Sequence, residues 1–284
     1  MEEQKDGAWH DRMYNNRELV PGHPRHFDRW RSESARARKE RECVLDVPFG
    51  DGRGDKLDVF PAAQARSSTL VFLHGGYWRS LDKSDHSFIG AAFQETGSCV
   101  FVPNYDLCPA VTIPQIVMQA ARAVAWAWKH APEYGGDPRQ ITVMGHSAGG
   151  HLTAMMLACD WQALDPDLPP DVVQKGLSLS GLHDLHPIMR TPFLQETLKL
   201  TPEDALRCSP ALMPAPAGAT LFALCGRDES TEFIRQNRLI QQRWGEEVVE
   251  VCDTLEGLNH FSVLEALAEP GHALHTAALE LLWR

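Results

Sequence analysis

Three observations predict an α/β class chain, with a mainly parallel twisted sheet and helices on both of its faces. Short apolar runs recur along the 284 residues, stretches with helical spacing lie between them, and a Gly/Asp-rich turn near the front joins two further runs. Alternating strand and helix signals are satisfied when parallel strands are joined by helices that cover the sheet.

The first strand pair is read in "ECVLDVPFGDGRGDKLDVF" (42–60), two strand-like runs around that turn, which makes an antiparallel hairpin at the edge of the sheet. "TLVFLHG" (69–75), "SCVFVPNY" (98–105) and "ITVMGH" (141–146) follow as strands, with a helix in "IPQIVMQAARAVAWAWKHA". A second helix starts at Ala148, and "GLSLSG" (176–181), "TLFALCG" (220–226) and "EVVEVCDT" (247–254) complete the set of strands.

Residues 182–218 break this rhythm with many prolines and two short helical pieces. The second piece has a written start, because Thr201 can cap, Pro202 suits the first turn and Asp204 completes an approximate capping box. The segment reads either as a lid-like insertion or as a plain helical connection. Residues 1–284 are thus expected to form one domain, with 1–42 a helical extension in front. That extension has two open roles, covering a pocket or pairing subunits in a homodimer.

Composition excludes several classes of function. Apolar residues make up 43% of the chain and charged residues 23%, as in ordinary globular proteins. A net charge of −11 repels a phosphate backbone, so nucleic acid is not an expected partner. The most basic run, "RWRSESARARKERE", carries its own acids and reads as a solvated helix. No apolar run nears the roughly 20 residues that span a bilayer, and the start lacks the pattern of a signal peptide. No membrane partner is expected, and the location expected is cytoplasmic. The seven cysteines include no C-x-x-C pair, which fits reduced core thiols better than disulfides or zinc.

The chemistry concentrates in "VMGHSAGGHL" (143–152). A strand that turns sharply into a helix strains its turning residue, and only small neighbours leave room for that turn. Gly145 and Gly149 supply the room, Ser147 is held out at the sheet's C-terminal edge, and the pattern is the G-x-S-x-G nucleophile elbow. The backbone N–H of Ala148, at the start of the helix, can donate to a developing oxyanion. In "FLHGGYWRSLDKSDHS" (72–87), Gly75, Gly76 and Tyr77 offer further backbone donors, and His74 would brace their loop. No phosphate loop is present, and the histidines of "HDLHP" and "HALH" lack a metal-site pattern, so neither metal nor cofactor is expected.

A serine nucleophile needs a base and an acid to orient it. Asp228 of "GRDES" follows one strand and His260 of "LEGLNHFSVLE" follows another, both at the edge where Ser147 stands. Asp184 is an alternative acid. His146 lies inside the elbow and should point away from Ser147, and Ser180 lacks the small residue two positions earlier that an elbow needs.

Taken together, "HGGYW", "GHSAGGHL", "GRDES", "LNHFSVLE" and the N-terminal "MYNNRELVPGHP" resemble the α/β-hydrolase branch that contains arylformamidase, or kynurenine formamidase, and related carboxylesterases. The resemblance runs from about Tyr14 to His260. It implies the α/β-hydrolase fold, a Ser147–Asp228–His260 triad, and an oxyanion loop of Gly75, Gly76 and Tyr77 with Ala148. The activity it implies is hydrolysis of N-formylkynurenine to formate and kynurenine. An aryl leaving group would want a flat apolar pocket, for which Trp78, Trp161 and Phe193 stand in suitable places, and Arg79 or Arg190 could meet a substrate carboxylate. The alternatives are a general carboxylesterase acting on short acyl esters, which shares all of this chemistry, and a non-catalytic binding protein.

Overall fold

The computed structural model describes residues 5–284, so residues 1–4 and the very start of the expected extension lie outside the described residues. Eight strands form one sheet in the order β1-β2-β4-β3-β5-β6-β7-β8. They are β1 (Val44–Pro48), β2 (Lys56–Phe60), β3 (Ser67–Leu73), β4 (Cys99–Pro103), β5 (Gly136–His146), β6 (Lys175–Leu179), β7 (Thr220–Gly226) and β8 (Val251–Leu255). The hairpin β1–β2 is antiparallel and β2 runs antiparallel to β4, whereas the other pairings are parallel.

Alternation along the strands divides the core. In β3, Val71 and Leu73 pack on one face with the helices Ile113–His130, Ala148–Leu157 and Thr231–Trp244. Leu70 and Phe72 pack on the other with the helices Ser87–Gln94, Ser262–Ala268 and Ala273–Trp283. Successive side chains of a strand point to opposite faces, so a run that is apolar throughout is buried on both.

After β3 the chain goes to β4 on one side, and β5 lies on the other side of β3. The loops leaving β3 and β5 therefore diverge, which opens a crevice at the C-terminal ends of the strands. Two expected boundaries shift: β5 begins earlier, at Gly136, and β8 begins later, at Val251.

Residues 182–218 hold three short helices, His186–Met189, Pro192–Leu198 and Pro202–Arg207, followed by a 3-10 turn at Pro210–Leu212. Thr201 Oγ1 accepts from Asp204 N at 3.1 Å, as its capping role requires. At the front lie the helices Gly7–Tyr14, Asn16–Leu19 and His23–Glu40. The basic run forms a helix that is exposed over most of its surface, as expected, and buries Trp30, Ser34 and Ala37, which recur every three or four residues along one face. His26 Nδ1 lies 2.7 Å from Glu265 and Tyr14 donates to Glu232 at 2.8 Å, fastening this segment to helices on both faces of the sheet.

Candidate active site

The turn after β5 has the geometry its sequence demands. Ser147 has φ 58° and ψ −117°, a strained conformation for a residue with a side chain, and its backbone N–H donates to Leu179 O at the end of β6. A Cβ on Gly145 would stand 2.2 Å from Gly149 O, and one on Gly149 would stand 1.9 Å from Leu73 O, so the elbow admits no side chain at either position. The helix Ala148–Leu157 starts directly behind the serine. Its first N–H groups, Ala148's among them, have no partner within the helix.

His260 stands after β8 and is 4% exposed. Its Nδ1 donates to Glu229 Oε2 at 2.6 Å. The expected partner was Asp228, and the structure corrects this: Asp228 is exposed at the turn after β7, whereas the Glu229 side chain is fully buried. Two donors draw Glu229 inward, because its Oε1 accepts from Gly226 N at 2.7 Å and from Ser180 Oγ at 2.6 Å. Ser180 is thus not a second elbow but a support for the Glu229 carboxylate. It follows β6 with φ 53°, and its N–H is pinned to Leu224 O. The alternative acid, Asp184, binds the backbone N–H and the ring of His186 instead.

His146 also lines the cavity of Ser147, with its ring engaged by the backbone of His260. Its Nε2 donates to His260 O at 2.7 Å, which ties the residue before Ser147 to the backbone of His260. Burial and the neighbouring His260 hold His146 well below the usual histidine range, so it stays neutral.

The loop after β3 is strained at successive residues, with positive φ at Gly76 (109°), Tyr77 (51°) and Trp78 (55°). Only glycine fits position 76, where a Cβ would meet Ser80 O at 2.0 Å. Gly75 packs against the elbow, since a Cβ there would lie 3.2 Å from Ser147 Cβ. His74 braces the loop through Nδ1, which donates to Gly75 O at 2.8 Å, and its ring stacks on Tyr105 at 4.1 Å. Tyr77 donates from its hydroxyl to Tyr14 O at 2.7 Å, so the N-terminal segment clasps this loop.

Ser147, His260, Gly76 and Tyr77 line one cavity of about 390 Å³. Its apolar walls are Phe27, Trp30, Leu81, Phe193 and Phe261, and its rim carries Arg17, Glu18 and Arg79. Of the aromatics expected in the pocket, Phe193 is there, but Trp78 and Trp161 are not. Both are core residues at 0% and 1% exposure, and Trp78 packs edge-on against His151. The backbone of residue 78 turns its indole inward, under the helix that begins at Ala148. In their place stand Phe27 and Trp30 of the helix His23–Glu40 and Phe261 beside His260. Of the two open roles of the N-terminal extension, it therefore fills at least that of pocket wall. Arg190, one of the two candidate cations, is exposed and outside the cavity.

Among the described residues, no group of three or more His, Cys, Asp or Glu side chains could hold a metal ion, and no helix is long and apolar enough to cross a membrane.

The family profile for the α/β-hydrolase fold matches residues 70–215. Kynurenine formamidase of Danio rerio is 31% identical over 266 residues, covering 90% of this chain and 88% of its own. A protein from Silicibacter sp. tm1040, provisionally described as a thioesterase, is 30% identical with a TM-score of 0.82, covering 96% of this chain and 98% of its own. A thermostable carboxylesterase cloned from a metagenomic library shares the fold, with a TM-score of 0.71 at 21% identity and coverage of 94% and 97%. With this sheet, this elbow and these relatives, the chain belongs to the α/β-hydrolase family and is a hydrolase of esters or amides.

Proposed function

We propose that the protein removes a formyl group from an aryl amide of the N-formylkynurenine type, through an acyl-enzyme on Ser147. The observation that carries this reading is the His260 imidazole, held by Glu229 at 2.6 Å in the wall of the cavity that also contains Ser147. The kynurenine formamidase relative, matched along nearly its whole length, supports the choice of acyl group.

In the first step His260 Nε2 takes the Ser147 hydroxyl proton as Oγ attacks the formyl carbon. Glu229 keeps the Nδ1 proton in place and stabilises the imidazolium that forms. The oxyanion meets backbone N–H groups of the Gly75–Gly76–Tyr77 loop and of Ala148. His260 then protonates the leaving arylamine, the C–N bond breaks, and a formyl ester remains on Ser147. Water, deprotonated by His260, attacks that ester, and formate leaves as the serine recovers its proton. A formyl group needs almost no room beside the crowded elbow, whereas the aryl group can lie among Phe27, Phe193 and Phe261.

Hydrolysis of short acyl esters is the second reading, supported by relatives described as a carboxylic ester hydrolase and an esterase, which match shorter parts of the chain. It uses the same residues and differs only in the acyl group preferred. A kcat/KM comparison of N-formylkynurenine, its N-acetyl analogue and 4-nitrophenyl acetate separates the two. The formamidase reading expects the formyl amide to exceed the acetyl amide by at least about tenfold, the lower end of what one methyl group discriminates in a fitted pocket. Ester turnover with no formamide turnover would replace it by the second reading.

A further inference from the structure

Two arginines stand at the rim of the cavity without an acidic partner. Arg17 comes from the helix Asn16–Leu19 and Arg79 from the strained loop after β3, and both line the cavity that holds Ser147. Each guanidinium lies over a phenyl ring of the same cavity, Arg17 over Phe27 at 5.4 Å and Arg79 over Phe193 at 5.2 Å. Arg79 is further fixed by donating to Phe193 O at 2.8 Å and Thr197 Oγ1 at 3.2 Å. Neither arginine takes part in an ion pair among the described residues, although Glu18 shares the rim and Glu196 lies within electrostatic reach of Arg79. Burial and the charge of Arg17 both lower the pKa of Arg79, so the two cations repel each other. In a chain of net charge −11, two like cations at one pocket mouth leave positive potential where an anion would dock.

We propose that Arg17 and Arg79 form a two-guanidinium clamp for a carboxylate on the substrate, so that the site takes anionic aryl amides or esters in preference to neutral ones. This rests on the reading that Ser147 and His260 react in this cavity, and it makes the N-terminal segment part of substrate selection. The planar fork of arginine suits a carboxylate, and a ring beneath each fork limits its freedom before the ligand arrives.

Direct binding tests the clamp without requiring turnover. Calorimetry with 3-phenylpropionate and the isosteric neutral 3-phenylpropionamide should show the acid binding about tenfold tighter, the scale of a charge-assisted pair. Arg17→Met and Arg79→Met should each remove most of that preference while leaving the amide within about twofold, and Arg79→Lys should restore part of it. Raising salt should weaken only the acid. Equal binding of acid and amide, or a preference untouched in Arg17→Met, overturns the proposal. Because Arg17 is exposed, that variant carries the test even if Arg79→Met folds poorly. A preference that both variants abolish, in a protein that does not turn over N-formylkynurenine, keeps the clamp and overturns the formamidase reading.

Discussion

Replacing Glu229 by glutamine changes one atom and forces a choice. In the native site Oε2 accepts from His260 Nδ1, while Oε1 accepts from Gly226 N and Ser180 Oγ. A glutamine has one acceptor oxygen and one amide donor, so one of these groups must face an N–H. With the amide nitrogen toward His260, the imidazole must carry its proton on Nε2 and can no longer take one from Ser147. The matching change in a serine protease triad costs about 10⁴ in kcat. With the amide nitrogen toward Gly226, a buried backbone N–H loses its acceptor, at a cost of about 1–3 kcal/mol in stability. The expected result for Glu229→Gln is therefore a kcat lower by about 10³–10⁴, or ~4–5.5 kcal/mol in barrier, with KM nearly unchanged. The assay is steady-state turnover of N-formylkynurenine and of 4-nitrophenyl acetate, with circular dichroism to confirm folding. Asp228→Asn, altering an exposed carboxylate one residue away, should stay within about twofold of the native enzyme. A loss confined to Asp228→Asn, with Glu229→Gln near native, would refute the reasoning.

Other perturbations have definite outcomes. Ser180→Ala removes one charge-assisted bond to Glu229 and should lower kcat about tenfold while leaving KM in place, read in the same assay. Gly149→Ala puts a Cβ 1.9 Å from Leu73 O, where the helix presses on the backbone at the end of β3, and should yield no soluble folded protein or a Tm lower by well over about 10 °C. His86, His151 and His183 are fully buried and neutral, with pKa values pushed down to about 3, 4 and 3, chiefly by burial. Unfolding frees them to bind protons below their ordinary value of about 6.5, so their stability is fully present above that pH. It is lost as pH falls towards 4, by on the order of 4 kcal/mol per pH unit for the three together. A thermal melt series should show Tm falling steeply below about pH 6, and a flat Tm from pH 7 to pH 4.5 would contradict this.

How much of this was legible in the sequence varied with how local the cause was. The strands were readable because residues such as Leu70–Leu73 and Ile141–Met144 form apolar runs, and burial on both faces needs no other signal. Ser147 was readable for a comparable reason, since Gly145 and Gly149 are demanded by contacts of the turn itself. His260 followed from its position after a strand. Which of two adjacent acids meets it was not legible, because Glu229 turns inward to donors on Gly226 and on Ser180, the latter 49 residues away. The Asp/Glu latitude of such triads is the one sequence signal that could have set Glu229 beside Asp228 as a candidate. The pocket aromatics were harder still. Trp78 and Tyr77 are neighbours, yet one is sealed in the core and the other clasps Tyr14, a division set by loop backbone angles that composition does not encode. Phe27 and Trp30 reach the cavity only because the N-terminal segment folds back across the sheet's edge, a tertiary event without local pattern.

The account stands on Ser147 as the nucleophile of a formamide hydrolase, and the most direct test is N-formylkynurenine turnover by the native protein beside Ser147→Ala. The prediction is hydrolysis by the native protein and a kcat at least about 10³-fold lower in the variant, with residual rate owed to the oxyanion donors alone. Activity that survives in Ser147→Ala would contradict the account.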